Sequence, residues 1–334
     1  MLASSSTRAP QTIDDLISPQ LSSALDRFDL ASRQTIAGKL QGERRSKARG
    51  RSVEFEDYRQ YTHGDDLRHV DWNVFARLDR FFIKVFLEEK DLALHIAIDT
   101  SASMDAGNPN KIIQAQRIAM ALGYLGLVNN NRVVLWAFDA RGVRYLPPTR
   151  GRTGVQKLAK FLLTSVFDAG SVLRQRGQAG GGESNLPPTP TTFSSALRSI
   201  AQARTGKGVF ILLSDLLIPE GYQQGLTLLG GGGWETTIMQ VLAPGEIDPS
   251  TELDGSGGRI VIGDLRLTDA ETGRAAEVTV NADLLARYHR KFEEYQQRLT
   301  AYLNARGISH VVARSDSDVG QLLLGDLRRR GVVK

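Results

Sequence analysis

The sequence predicts an α/β protein: a doubly wound, mostly parallel sheet of Rossmann type, with a small strand-rich elaboration. Three observations predict it. Several short runs are apolar at nearly every position, among them "LALHIAID" (92–99), "RVVLWAFD" (132–139) and "GVFILLSD" (208–215), as in strands buried on both faces. Between such runs stand segments with apolar residues at helical spacing. The connections are short, so strands and helices alternate and helices must cover both faces of the sheet.

Taken in order, residues 1–50 read as a basic, largely flexible arm. Within it "SPQLSSALDRFDLASRQTI" is a short helix candidate, with Leu21, Leu25, Phe28 and Leu30 as apolar contacts. Residues 51–90 are dense in aromatics and charge and are expected as a module packed on the main domain, "RFFIKVFLE" being strand-like. The main domain is expected over 91–334. After the strand "LALHIAID", Asn108 is a candidate N-cap and Pro109 a first helical residue. Ile112, Ala115, Ile118, Ala119, Leu122 and Leu125 then mark one helix face.

"RVVLWAFD" is the next strand, "VRYLPP" a short one, and "GVQKLAKFLLTSVF" a helix. Residues 174–191, rich in Gly, Pro and Ser, read as loop. "TFSSALRSIAQAR" is a helix, "GVFILLSD" a strand, "EGYQQGLTLLG" a helix and "TTIMQVLAP" a strand. Residues 246–283 are polar and Gly-rich with strand-like pieces at "RIVIGDLRL" and "AAEVTV", the expected insertion. The helix "ADLLARYHRKFEEYQQRLTAYLNARG" ends at Gly307, a candidate C-cap. "SHVVARS" and "SDVGQLLLGDLRRRG" close the chain as strand and helix.

Composition narrows the function. The 334 residues include no cysteine, which excludes disulfides, zinc–thiolate sites and thiol catalysis and fits a reducing compartment. No apolar run approaches the roughly 18–20 residues of a membrane span, and the first residues lack a signal-peptide core, so a cytoplasmic protein is expected. The net charge is +5. Part of the excess lies in residues 38–51, where six basic residues accompany one acid. Such a run can touch nucleic acid, anionic membrane or an acidic protein, but no aromatics interleave for base stacking, and a solvated arm is the simpler reading.

In doubly wound sheets, sites form beyond the carboxyl ends of the strands. Asp99, Ser101 and Ser103 stand just after the first buried strand, Asp215 after "GVFILLSD", and Thr191 before a helix. Two carboxylates and three hydroxyls are hard oxygen donors suited to Mg²⁺, with Mn²⁺ or Ca²⁺ as alternatives. Asp99, Ser101 and Ser103 taken alone are equally the capping residues of a strand-to-helix turn. Asp65, Asp66 and Asp71 form a second acidic group, read as a structural network with Arg59, Arg68 and Arg77, and with Trp72 as a packing anchor. The five histidines are scattered, without metal-ligand spacing. His95, in mid-strand, reads as a core residue. The Gly-rich runs lack the lysine and hydroxyl of a phosphate loop, and no G-x-S-x-G occurs.

The run Asp99-Thr100-Ser101-Ala102-Ser103 resembles the D-x-S-x-S signature of von Willebrand factor A domains, the metal-ion-dependent adhesion site. "TTFSSAL" resembles that family's T-x-x-x-x-A-L segment, and "LLSD" its third-loop aspartate, in the same order along the chain. Upstream, "GDDLRHVDWNVFAR" is similar to the G-D-D-x-R-x-x-D-W-x-x-x-A-R hallmark of the bacterial family called domain of unknown function 58, and "TDAETG" to its C-terminal part. The resemblance implies a von Willebrand factor A-like sheet with Asp99, Ser101, Ser103, Thr191 and Asp215 around a divalent cation. It also implies a link to MoxR-type AAA+ ATPases, beside which such proteins are commonly encoded.

The expected function is therefore a non-enzymatic, metal-dependent protein–protein interaction module. A partner's acidic residue would complete the cation's coordination, and the expected partner is a MoxR-type ATPase. The alternatives are a metal-dependent phosphoester hydrolase, which needs an activated water or second metal, and a nucleic-acid-binding protein acting through residues 38–51.

Overall fold

The computed structural model describes residues 9–30, 54–62, 70–87, 93–165, 191–203, 205–206, 208–218, 220–230, 233–251, 263–268 and 275–332. The expectations for residues 38–51, 65–66, 68 and 174–190 lie outside these. The chain divides into two compact units, one of residues 1–34 and 92–334, the other of residues 35–91.

The larger unit is built on a six-stranded sheet: β3 (Ala93–Asp99), β4 (Arg132–Asp139), β5 (Gly142–Thr149), β6 (Gly208–Ser214), β7 (Glu235–Leu242) and β10 (Ser309–Arg314). Their spatial order is β10-β7-β6-β3-β4-β5. All neighbours are parallel except β4 and β5. Pro147 and Pro148 lie in β5, at the sheet edge, where a missing donor disturbs least. From β3 the chain steps outward to β4 and β5, then returns to the other side of β3 with β6. The crevice between the ends of β3 and β6 is thus the switch point of the sheet.

Alternation along the strands sends side chains to two cores. Leu94, Ile96 and Ile98 of β3 join Leu213 and Val241 against Ile118, Leu122 and Leu125 of the helix Lys111–Val128 (α4). On the opposite face Ala97, Val134, Phe210, Leu212 and Ile238 meet Leu197 and Ile200 of Phe193–Gln202 (α6), Leu226 of Gln223–Gly230 (α7) and Leu299 of Ala282–Asn304 (α9). The result is a mixed, Rossmann-like α/β fold with helices on both faces.

Helix α4 begins after Asn110, whose Oδ1 accepts from the N–H groups of Ile112 and Ile113 at 2.9 and 3.4 Å. The cap is therefore Asn110, not Asn108, because its side chain reaches the orphan donors of the first turn. Gly126 of this helix lies against the sheet: a Cβ there would stand 2.8 Å from Val133 Cγ2. Past α9, Gly307 takes φ +67° and the Ile308 N–H reaches back to the Leu303 carbonyl at 3.1 Å, the expected glycine stop.

Residues 9–30 depart from the expected arm. Helices Ile13–Leu16 (α1) and Pro19–Leu25 (α2) bury Leu16 and Leu25 in the first core, where Ile17 and Leu30 join them. Tyr124 donates to Asp26 at 2.9 Å and Asn129 to the Phe28 carbonyl at 2.7 Å, tying this segment to α4. The apolar spacing of Leu16 and Leu25 outweighs the polar composition around it. The insertion contains β8 (Gly263–Thr268) paired antiparallel with β9 (Ala275–Val280), as a separate two-stranded sheet.

The smaller unit holds β1 (Glu54–Gln60) antiparallel to β2 (Phe82–Leu87), and the helix Trp72–Leu78 (α3). Asp71 caps α3, accepting from Asn73 N–H at 2.9 Å, so it is a structural carboxylate. Trp72 is not a buried anchor: it is 59% exposed and meets Phe75 and Phe81 edge-on, while those two rings stack at 4.3 Å. Among the described residues, no helix is long and apolar enough to cross a membrane.

Candidate functional site at the ends of β3 and β6

Asp99 is the last residue of β3 and is buried, only 4% exposed. One carboxylate oxygen accepts the Ser101 N–H at 3.0 Å, the other the Ser214 hydroxyl at 2.7 Å. A single carboxylate thus fixes the turn after its own strand and grips the end of the neighbouring one. The turn continues as a 3₁₀ helix, Ala102–Asp105, which brings the Ser101 and Ser103 hydroxyl oxygens to 3.1 Å of each other.

Thr100 locks the same turn to β4: its N–H and its hydroxyl both donate to the Phe138 carbonyl, at 2.8 and 3.0 Å. Asp139, at the end of β4, accepts from Arg141 at 2.8 Å and Arg144 at 3.0 Å. Burial works against its ionisation, but the two guanidinium partners outweigh burial and hold its pKa below the usual carboxylate value. Thr191 reaches this end of the sheet through its backbone, its N–H donating to Ala140 O at 2.8 Å. The next residue, Thr192, is the N-cap of α6, accepting from the Ser195 N–H at 3.2 Å.

Asp215 follows β6 and is buried. One carboxylate oxygen accepts the Leu217 N–H at 3.0 Å, the other the Lys111 ammonium at 2.8 Å. Lys111 is fully buried at the first position of α4 and also pairs with Glu246, in the short helix Pro244–Ile247 (α8). Burial alone would lower the lysine pKa; Asp215 and Glu246 reverse that and raise it. A polar chain continues behind Asp215. Gln240 Nε2 donates to the Asp215 carbonyl at 3.1 Å, and His310 lies 3.1 Å from Gln240 Oε1.

Asp215 and Glu246 thus share one ammonium, while Asp99 has no cationic partner among the described residues and feels the charge of Asp215. Burial first and the charge of Asp215 second push the Asp99 pKa up to about 6, against the opposing bonds from Ser214 and Ser101.

Among the described residues no three His, Cys, Asp or Glu side chains are grouped to hold a metal ion. A cation here must rest mainly on hydroxyls, and the serine pair fits that requirement. Adjacent ligands on an octahedral Mg²⁺, each about 2.1 Å from the ion, lie about 3.0 Å apart. The Ser101 and Ser103 hydroxyls are hydrogen-bonded to each other at 3.1 Å, a separation that also matches this edge. Asp99, whose ionisation burial and Asp215 disfavour, is bonded to the Ser101 N–H beside this pair.

Two of the described histidines are buried in the sheet. His95 is fully buried near Phe210 and Trp234, and burial lowers its pKa to about 4. His310 is likewise lowered to about 4, by burial and then by Arg330. Lys111 and Glu246 escaped the sequence reading. The one available signal is a lysine opening an otherwise apolar helix just after the Asp99 turn; Glu246 sits in a stretch that reads only as polar insertion.

The family model described as "Protein of unknown function DUF58" matches residues 57–298. Three uncharacterised mycobacterial proteins are similar over most of their length: Rv1480 and MT1527 of Mycobacterium tuberculosis and Mb1516 of Mycobacterium bovis. Each is 22% identical over 310 residues, which covers 91% of this chain and 88% of the relative.

Proposed function

The chain belongs to the DUF58 family, and from that premise we propose that it is a non-enzymatic, cation-dependent protein-binding module with a von Willebrand factor A-like adhesion site. Ser101, Ser103 and Thr191 ligate a divalent cation, most simply Mg²⁺. Asp99 and Asp215 ligate it or hold its waters from the second rank. An acidic side chain of the partner supplies the remaining ligand. The observation that carries this reading is the octahedral-edge spacing of the two serine hydroxyls beside a buried carboxylate whose charge is incompletely matched.

Such a site favours binding over hydrolysis. Neutral hydroxyls leave the ion's charge available to an incoming carboxylate. His95 and His310 are buried in the sheet and present no accessible base to a metal-bound water. We assign the partner to the MoxR-type AAA+ ATPases on the resemblance of the Gly64–Arg77 run, and the setting to the cytoplasm. Affinity purification in Mg²⁺ tests this. The ATPase should be retained by the wild type and lost from a Ser101→Ala, Ser103→Ala variant or on EDTA treatment. Retention that ignores both changes would refute the cation-bridged reading.

A further inference from the structure

Lys111 is an unusual residue to find where it is. A lysine at the first position of a helix faces the positive end of the helix dipole, which disfavours it. Burying its ammonium completely adds a desolvation penalty. Both are met by two carboxylates on different elements: Asp215 after β6, and Glu246 in α8 after β7. Glu246 is itself held. Its second oxygen accepts the Ala243 N–H at 2.9 Å, and its backbone carbonyl accepts the Tyr288 hydroxyl of α9. The ammonium is thus a fixed cation bound to the carboxylate that the proposed site shares.

We infer that Lys111 is the residue that sets the affinity of the Asp99–Ser101–Ser103–Asp215 site for a divalent cation, by occupying Asp215 as an internal counter-ion whose strength Glu246 controls. This rests on the cation-site reading above. A metal ion near Asp215 meets the repulsion of a neighbouring ammonium that cannot retreat into solvent. That repulsion is reduced because Glu246 pairs with the same ammonium and offsets part of its charge. The site is then weak by construction, and a partner's carboxylate is needed to tip the balance.

The two residues should have opposite effects. Lys111→Met removes the competing charge and retains the apolar stem, so Mn²⁺ affinity should rise at least about tenfold. Glu246→Gln leaves the ammonium to Asp215 alone, so Mn²⁺ affinity should fall by about threefold or more. Calorimetric titration of the full chain with Mn²⁺ alone, without any partner, reads both. Glu246→Gln retains a polar acceptor and keeps the test open if Lys111→Met does not fold. Equal affinity in wild type and both variants, or weaker binding in Lys111→Met, would overturn the role given to Lys111 while leaving the cation site in place. No Mn²⁺ binding in any of the three proteins would overturn the cation site itself, and this inference with it.

Discussion

The two buried carboxylates at the switch point, one at the end of β3 and one just past the end of β6, are stabilised by opposite means. Asp99 is surrounded by dipoles: a backbone N–H and a serine hydroxyl, with two more hydroxyls in the following turn. Asp215 is met by a full charge, the ammonium of Lys111. Dipoles fix geometry but leave charge unmatched, and Asp99 accordingly has its pKa pushed up to about 6 by burial and by Asp215. An ion pair matches charge and commits the carboxylate. In the proposed reading the end of β3 takes an external cation, whereas the position after β6 already holds an internal one, Lys111.

Breaking the committed side should have the largest effect. Lys111→Ala leaves Asp215 and Glu246 facing one another without a cation, and the loss of stability should be about 3–5 kcal/mol, read from the urea midpoint. Asp215→Asn leaves the ammonium only Glu246, and should cost about 1–3 kcal/mol. Asp99→Asn removes the charge that burial and Asp215 disfavour. It should be neutral or slightly stabilising in the absence of divalent cations. A loss at Asp99 as large as that at Asp215 would erase the distinction between the two positions.

The buried histidine at the other end of β3 gives a smaller effect, seen as pH dependence. His95 has its pKa lowered to about 4 in the fold, against an ordinary value near 6.5. The unfolded chain therefore binds the proton more readily, and stability should fall as pH drops from about 6.5 towards 4. His95→Gln should flatten that limb of the urea-midpoint profile. An unchanged slope would mean that His95 does not titrate as a buried core group.

The smallest effect is expected in the other unit. Trp72 is 59% exposed, with edge contacts only to Phe75 and Phe81, so Trp72→Ala should change stability by no more than about 1 kcal/mol. A Tm loss typical of a core tryptophan would show that the ring is covered in solution.

What was legible in the sequence follows from how local each signal is. The strands β3, β4 and β6 could be read because apolar runs of that length have few other uses, and α4 and α9 because their apolar spacing is long and regular. The turn after β3 was legible because Asp99, Ser101 and Ser103 act within five residues. The Lys111–Asp215–Glu246 cluster was not. Its members are 104 and 135 residues from Lys111, and nothing at any one position reveals that the ammonium is buried. The cap of α4 was misplaced by two residues for a similar reason: Asn108 and Asn110 are equivalent in sequence, and only the fold decides which side chain reaches the orphan donors. The N-terminal helices were underestimated because a few leucines among serines and acids look like a tail until a complementary apolar face is present.

The central claim is that the serine pair beside Asp99 is a cation edge, and not merely the cap of a turn. Electron paramagnetic resonance of Mn²⁺ titrated into the wild type and into the Ser101→Ala, Ser103→Ala variant tests it most directly. The account predicts protein-bound Mn²⁺ in the wild type, displaced by excess Mg²⁺, and none in the variant at equal concentrations. Bound Mn²⁺ that persists in the variant, or a wild type that binds none while the variant loses about 0.5–2 kcal/mol of stability as for a missing cap, would contradict it.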